Sequence, residues 1–296
     1  MTIAAGFVCR EGVLLCADTE QTAWAMKLHG SKVGHFEFDG GRIGFAYAGN
    51  TRFAFSAIQK LQKRLQTVKP KDALVVIEKV LDAEYRRNVL SHPDHATDAS
   101  IPYTLLLAIW SPTDGTKLYV TAQTAIQEVN EYECIGIGDY LGHYLMRQAF
   151  SGGMQQRDAL ALAAYALAGI KDYVSGCGGM SVYVLLQNDG RVSVLTSLHD
   201  GVCSQLQKYA KTYDFITRGL LIALANEDST DSDFERYLAE VFVPMLIQVR
   251  QEWTKLREYR LAQFAALNPH LGKDEAKQLF REFSLGLSPA PPSSHQ

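Results

Sequence analysis

The residues best placed to do chemistry stand at the start of the chain, which runs Met1-Thr2-Ile3-Ala4-Ala5-Gly6-Phe7-Val8-Cys9-Arg10-Glu11-Gly12-Val13-Leu14-Leu15-Cys16-Ala17-Asp18. A small hydroxyl residue follows Met1. Removal of Met1, common ahead of a small residue, would make Thr2 the chain terminus. Thr2 would then hold both a nucleophile, its hydroxyl, and a base, its α-amine. A free α-amine titrates at about 7.7–8.0, so a useful fraction is unprotonated near neutral pH. A Thr hydroxyl is a weak nucleophile until a base adjoins it, and the Thr/N-terminal-amine pair is one known solution. A Met-Thr start alone also suits an ordinary N-terminal strand, so the features that follow must carry the reading.

Other groupings of reactive residues point elsewhere. His92-Pro93-Asp94-His95 puts two imidazoles and a carboxylate together, but without helical spacing or an obvious further ligand; it reads as a polar loop, with no metal expected. Cys9, Cys16, Cys134, Cys177 and Cys203 are scattered and contain no Cys-x-x-Cys. An odd, unspaced set is not a disulfide framework. It fits a reducing cytosol, with Cys9 and Cys16 as small core residues. Gly136-Ile137-Gly138 is a lone Gly-x-Gly, without the longer patterns that cradle phosphates. No cofactor is expected.

The elements that must position Thr2 follow from pattern. The 296 residues are 47% hydrophobic and 21% charged, a composition that supports a packed core. A net charge of −3 argues against non-specific nucleic-acid binding, since there is no basic excess to neutralise phosphates. No apolar run reaches the ~18 residues of a membrane span, and no leader pattern is visible. The expectation is a cytoplasmic protein.

Residues 3–9 and 13–18 read as a strand pair about Arg10-Glu11-Gly12. Residues 19–30 read as a loop. Residues 31–38 and 42–48 form a hairpin at Asp39-Gly40-Gly41. Asn50 is a candidate N-cap, followed by an apolar stripe of Phe53, Phe55, Ile58, Leu61 and Leu65. A second helix follows Pro70, with Leu74, Val75, Ile77, Val80, Leu81 and Tyr85 inward. Residues 103–110 and 117–121 pair across a turn, and 127–134 continue the sheet. A helix runs from Gly138 through Tyr140, Leu141, Tyr144 and Leu145 towards Phe150, and another spans 157–173. Residues 180–186 and 191–195 form a last hairpin. Hairpins alternating with helix pairs imply α+β architecture: two sheets face to face with helices outside, a four-layer αββα sandwich.

Over residues 2–195 the chain resembles the proteasome β-subunit-like family of N-terminal-nucleophile hydrolases, which includes the peptidase subunit of the bacterial two-component ATP-dependent protease. The resemblance rests on ordered features: the Thr2 strand, Ala17-Asp18 closing the second strand, a Lys about thirty residues after the Thr, Ala48-Gly49 before the first helix, and Asp172-Tyr173-Val174-Ser175-Gly176 after the last long helix. It implies that Thr2 is nucleophile and, through its amine, base. It implies that Asp18 orients a catalytic Lys, Lys32, with Lys27 the alternative under another alignment of the loop. The Gly49 N–H would form the oxyanion hole, Asp172 and Ser175 would support the N-terminal amine, and the Thr22 backbone would line the substrate cleft. These roles are chemically coherent. A Lys32 cation near the amine disfavours a second positive charge and lowers the amine's pKa; one oxyanion donor is worth about 10²–10³ in rate. One position departs: Ile137 stands where the family usually has Ser, between Gly136 and Gly138.

The resemblance further implies a threonine-type peptidase that acts on peptides or unfolded proteins inside a homo-oligomeric ring. No nucleotide-binding motif is present, so any ATPase would be a separate partner. The alternatives are a catalytically silent proteasome-like scaffold and a hydrolase of small amides. The expected division is a hydrolase domain at 1–197, a helical extension at 198–287 and a disordered tail at 288–296. Within the extension, helices are expected over 205–225, 234–267 and 273–283. The extension reads equally as a docking arm or as helices folded on their own core.

Overall fold

The structure is a computed structural model that describes residues 2–23, 26–98, 100–196, 201–225 and 230–267, with positions 272, 274, 275, 277 and 278. The chain divides into two compact units, Met1–Gln207 and Lys208–Gln296.

In the first unit the elements run β1 (Ile3–Cys9), β2 (Gly12–Asp18), β3 (Glu20–Ala23), β4 (Met26–His29), β5 (Val33–Phe38), β6 (Gly41–Gly49), α1 (Thr51–Leu65), α2 (Pro70–Tyr85), a π-helical turn (Arg86–Leu90), β7 (Tyr103–Ser111), β8 (Gly115–Ala122), β9 (Ala125–Val129), β10 (Tyr132–Gly136), α3 (Asp139–Ala149), α4 (Gln156–Tyr173), β11 (Ser181–Gln187) and β12 (Val192–Thr196). Two five-stranded antiparallel sheets result, ordered β10-β1-β2-β11-β12 and β5-β6-β7-β8-β9.

Strand alternation assigns every buried side chain a layer. From β1 and β2, Ile3, Ala5, Phe7, Leu14 and Cys16 face α3 and α4, where they meet Met146, Ala163 and Leu167. Ala4, Val13, Leu15 and Ala17 point the other way, into a dry layer shared with Ala46, Leu106, Ala108 and Leu118 of the second sheet. That sheet's outer face packs on α1 and α2 through Ile43, Ile58, Leu61, Ile77 and Leu105. This is the expected αββα sandwich. Burial of the central strands on both faces explains why β1 and β2 read as continuous apolar runs.

Several local expectations are corrected. Residues 19–30 are not a loop: β3 and β4 form a two-stranded ribbon, Glu20 opposite His29 and Thr22 opposite Lys27. The Gly30 N–H donates to the Thr19 carbonyl at 3.0 Å and closes its base. Its residues lack an apolar period, so pattern alone could not reveal it. Residues 127–134 are not one strand. β9 ends in the second sheet at Val129, and β10 begins in the first at Tyr132, so the chain crosses between sheets at Asn130-Glu131. Phe55 and Val75 are exposed, while Ala54, Ala57 and Ala73 are buried. Phe53 and Phe55 lie about 200° apart around a helix and cannot share a face. Tyr140, 87% exposed, and Tyr144 also point outward. Asn50 does cap α1: its side chain accepts the Phe53 N–H at 3.3 Å.

The second unit continues α5 (Gly201–Ala225), in which the division between units falls. It then carries α6 (Asp231–Tyr237), a π-helical turn (Leu238–Phe242) and α7 (Val243–Leu267). The expected single helix over 234–267 is thus interrupted by a wider turn. Thr230 and Asp233 form a reciprocal capping box on α6. Of the expected helix at 273–283, positions 274, 275, 277 and 278 are helical and the rest lies outside the described residues, as does the tail at 288–296.

Candidate active site

Asp18 closes β2 with a fully buried side chain, and three groups converge on it. Its Oδ1 accepts the Lys32 ammonium at 2.8 Å and the Ile3 N–H at 3.1 Å. Its Oδ2 accepts the Gly178 N–H at 3.0 Å. Lys32 is 1% exposed and also donates to the Glu20 carbonyl oxygen. A buried ion pair is tolerable only when its remaining valences are met. Here, among the described residues, the carboxylate has three donors and the ammonium at least two acceptors. Lys32 precedes β5, and its own carbonyl is held by the Tyr47 N–H of β6 at 3.1 Å. Burial draws the Lys32 pKa down, and the Asp18 charge opposes that fall.

The start of β1 sits against this pair. Thr2 is buried, and Ile3, the residue bonded to Asp18, lies opposite Gly136 in the β1–β10 register. Gly136 has φ of 104°, and a Cβ there would collide with the Thr2 carbonyl oxygen and crowd Ala48. Only glycine suits that approach. The same contact brings Ala48, and hence Gly49 at the end of β6, to the Thr2 end of the sheet. Gly49 has φ of 91°, and a Cβ there would strike the Pro102 carbonyl oxygen. Ile137, next to Gly136, is 48% exposed.

Of the residues singled out in the sequence, Thr2 (through Ile3), Asp18, Lys32 and Gly49 therefore gather at one end of the sandwich. Lys32 is the lysine at Asp18, whereas Lys27 lies in β4 opposite Thr22. Thr22 is in β3, on the ribbon that follows Asp18. Asp172 occupies the last turn of α4 and Ser175 the turn beyond it, both exposed. That turn leads to Gly178, whose N–H reaches Asp18.

Sequence reasoning missed two charged neighbours. Glu20 is buried, and its carboxylate packs against Gly178, where a Cβ would collide with it. Lys171, one residue before Asp172, donates to the Gly179 carbonyl at 2.9 Å and to Ser181 Oγ at 2.6 Å. Burial lowers its pKa to about 8. The only signal for either was proximity in sequence: Glu20 follows Asp18 by two, and Lys171 adjoins Asp172. Cys177 is buried nearby, and burial pushes its thiol up to about 12. A thiol so placed is no nucleophile at neutral pH.

The fold coincides with solved structures. Anbu from Yersinia bercovieri, described as an ancestral beta-subunit, matches with a TM-score of 0.60 at 14% identity, over 77% of this chain and 99% of that one. A Gly-1 mutant of Anbu from Hyphomicrobium sp. strain MC1 matches with a TM-score of 0.62 at 13% identity, over 78% of this chain and 100% of that one. The chain has the Anbu fold. A third match, to the helical assembly of the Anbu complex from Pseudomonas aeruginosa, has a TM-score of 0.60 at 13% identity, over 73% of this chain and 96% of that one. No protein-family model and no curated protein matches the chain in sequence. The proteasome-like αββα arrangement expected from the sequence is the one shared with these Anbu structures. Among the described residues the Anbu fold here carries no cluster suited to a metal ion, and no helix is long and apolar enough to cross a membrane.

Proposed function

We propose that the chain is a threonine-type N-terminal-nucleophile hydrolase that cleaves peptide bonds. The observation that carries this reading is the buried Lys32–Asp18 pair bonded to the N–H of Ile3, the residue after Thr2. The pair sets a cation beside the start of β1, and a terminal amine there would feel it.

Once Met1 is removed, the Thr2 α-amine takes the proton from its own Oγ, directly or through a water. Lys32 disfavours protonation of that amine and so keeps the base available. Oγ attacks the substrate carbonyl. The Gly49 N–H stabilises the tetrahedral oxyanion, and the ammonium so formed returns its proton to the leaving amine. Water, activated by the same amine, then releases the acyl group from Thr2. Asp18 holds Lys32 and Ile3 in register. Asp172 and Ser175 support the amine, and the Thr22 backbone lines the cleft. Copies of the chain assemble with one another, as the Anbu complex of Pseudomonas aeruginosa does in a helical assembly; a closed ring is the alternative to such an open helix for one repeated interface.

Ile137 favours a second reading, a silent scaffold with this fold, because a half-exposed apolar residue stands where the family has a hydroxyl.

Intact mass after treatment with an electrophile specific for N-terminal Thr separates the two. The hydrolase predicts loss of Met1 and one adduct mapping to Thr2, absent in Thr2→Ala. Retained Met1, or turnover of a peptide library undiminished by Thr2→Ala, would overturn it.

A further inference from the structure

We infer that Lys171 is a positioning residue, clamping the segment 178–181 that holds Asp18 and so acting on Thr2 through Asp18 and Ile3. Its effect on Thr2 rests on the hydrolase reading, while the clamp itself stands on geometry alone.

One edge of the segment is zipped to Asp18 at the end of β2 and to the two residues that follow it. The Gly178 N–H donates to Asp18 Oδ2 at 3.0 Å, and the Gly178 carbonyl accepts the Glu20 N–H at 3.1 Å. The Met180 N–H donates to Thr19 Oγ1 at 2.9 Å, and the Met180 carbonyl accepts the Thr19 N–H at 2.9 Å. Ser181 stands opposite Asp18 in the β2–β11 register. The other edge is held by Lys171, whose ammonium reaches back from the last turn of α4 to the Gly179 carbonyl and Ser181 Oγ. Gln207 Nε2 donates to the same Oγ at 2.6 Å. A lysine suits this place because it has three donor hydrogens and no acceptor, matching two acceptors on one segment.

Among the described residues, the charged and titratable groups that act on the Lys171 amine are Asp18 and Cys16 of β2, Cys177 of the turn after α4, and Lys32. Asp18 favours the ammonium, but burial, the larger influence, and Lys32 disfavour it. The neutral amine keeps two hydrogens and can serve both acceptors without a desolvated charge. Opening the segment to water restores an ordinary lysine pKa of about 10.4. Linkage then requires the closed clamp to tighten as pH rises from about 8 towards 10.4.

Hydrogen exchange with mass-spectrometric readout tests this on the full chain. In Lys171→Met at pH 7, the Gly178 and Met180 amides are expected to exchange about tenfold faster, with β7 unchanged, as loss of a hydrogen-bonded tie would produce. In wild type, protection there, corrected for intrinsic rates, is expected to rise between pH 8 and 10; in Lys171→Arg it stays flat. Trapping of Thr2 by the electrophile is expected to fall about tenfold in Lys171→Met and to recover largely in Lys171→Arg. Wild-type exchange at Gly178 and Met180 in Lys171→Met overturns the clamp. Should that variant lose β7 protection as well, Ser181→Ala takes its place, and unchanged exchange there overturns the clamp instead. If wild type is never trapped at Thr2, the hydrolase reading falls, and the exchange data alone decide the clamp.

Discussion

The Lys32 ammonium and the Ile3 N–H share one oxygen, Asp18 Oδ1, at 2.8 and 3.1 Å, and neither side chain of the ion pair is more than 2% exposed. A single buried atom thus couples a cation from the segment before β5 to the residue that follows Thr2. Removing its charge should be felt in both stability and reactivity.

Asp18→Asn is expected to destabilise the fold by about 3–5 kcal/mol, because the substitution strands a buried ammonium. Urea unfolding measures the loss. Adding Lys32→Met should recover much of the stability without restoring Thr2 trapping. A double variant as unstable as Asp18→Asn would mean that the pair is not the source of the cost.

Gly136→Ala should cost about 1–3 kcal/mol through its positive φ. It should cost proportionately more in trapping, because the new Cβ would press on the Thr2 carbonyl oxygen. Gly49→Ala meets the Pro102 carbonyl oxygen instead and should displace the proposed oxyanion donor. Normal trapping in both variants, with the expected loss of melting temperature, would detach these glycines from the chemistry.

Asn50→Ala removes the acceptor for the Phe53 N–H at the start of α1. A loss of about 1 kcal/mol is expected, and Asn50→Asp should restore the cap, since both residues cap well, but not the hydrogen bond that Asn50 Nδ2 donates to the Ser100 carbonyl at 3.3 Å. Thermal unfolding of the two variants side by side provides the check.

Cys9, Cys16, Cys134 and Cys177 are buried cysteines. Burial pushes Cys9 and Cys177 up to about 12 and raises Cys134 as well. At pH 8.5 the native protein should resist iodoacetamide at all four positions, and urea should release all four, as peptide mapping would reveal. The sign for stability follows. The folded state keeps protons that the unfolded thiols lose near 8.5, so this contribution is whole below about 8.5 and fades as pH climbs towards 12. Rapid native labelling of Cys177 would contradict its burial beside Asp18.

Much of the fold was legible because its cause is local. Apolar runs marked β1, β2, β7 and β11, and the Asn50 cap with the Ile58, Leu61 and Leu65 stripe marked α1, without reference to anything distant. The β3–β4 ribbon was not legible, because its polar residues carry no period. Nor was the crossing at Asn130-Glu131, because both flanking strands look alike until their sheets are known. The candidate site was legible in part: Thr2 and Asp18 stand out at the ends of apolar strands, whereas nothing local separates Lys32 from Lys27.

The sequence by itself determined the alternation of hairpins and helix pairs, and with it the layered αββα class, since hydrophobic period and turn chemistry act over a few residues. It also placed a hydroxyl nucleophile candidate at position 2. Only the tertiary structure decided the strand order β10-β1-β2-β11-β12, the pairing of Lys32 with Asp18, the burial of Glu20 and the reach of Lys171 to Ser181. The reason is physical. A charged side chain leaves water only where distant segments supply its partners, and those partners have no signature near it in the chain.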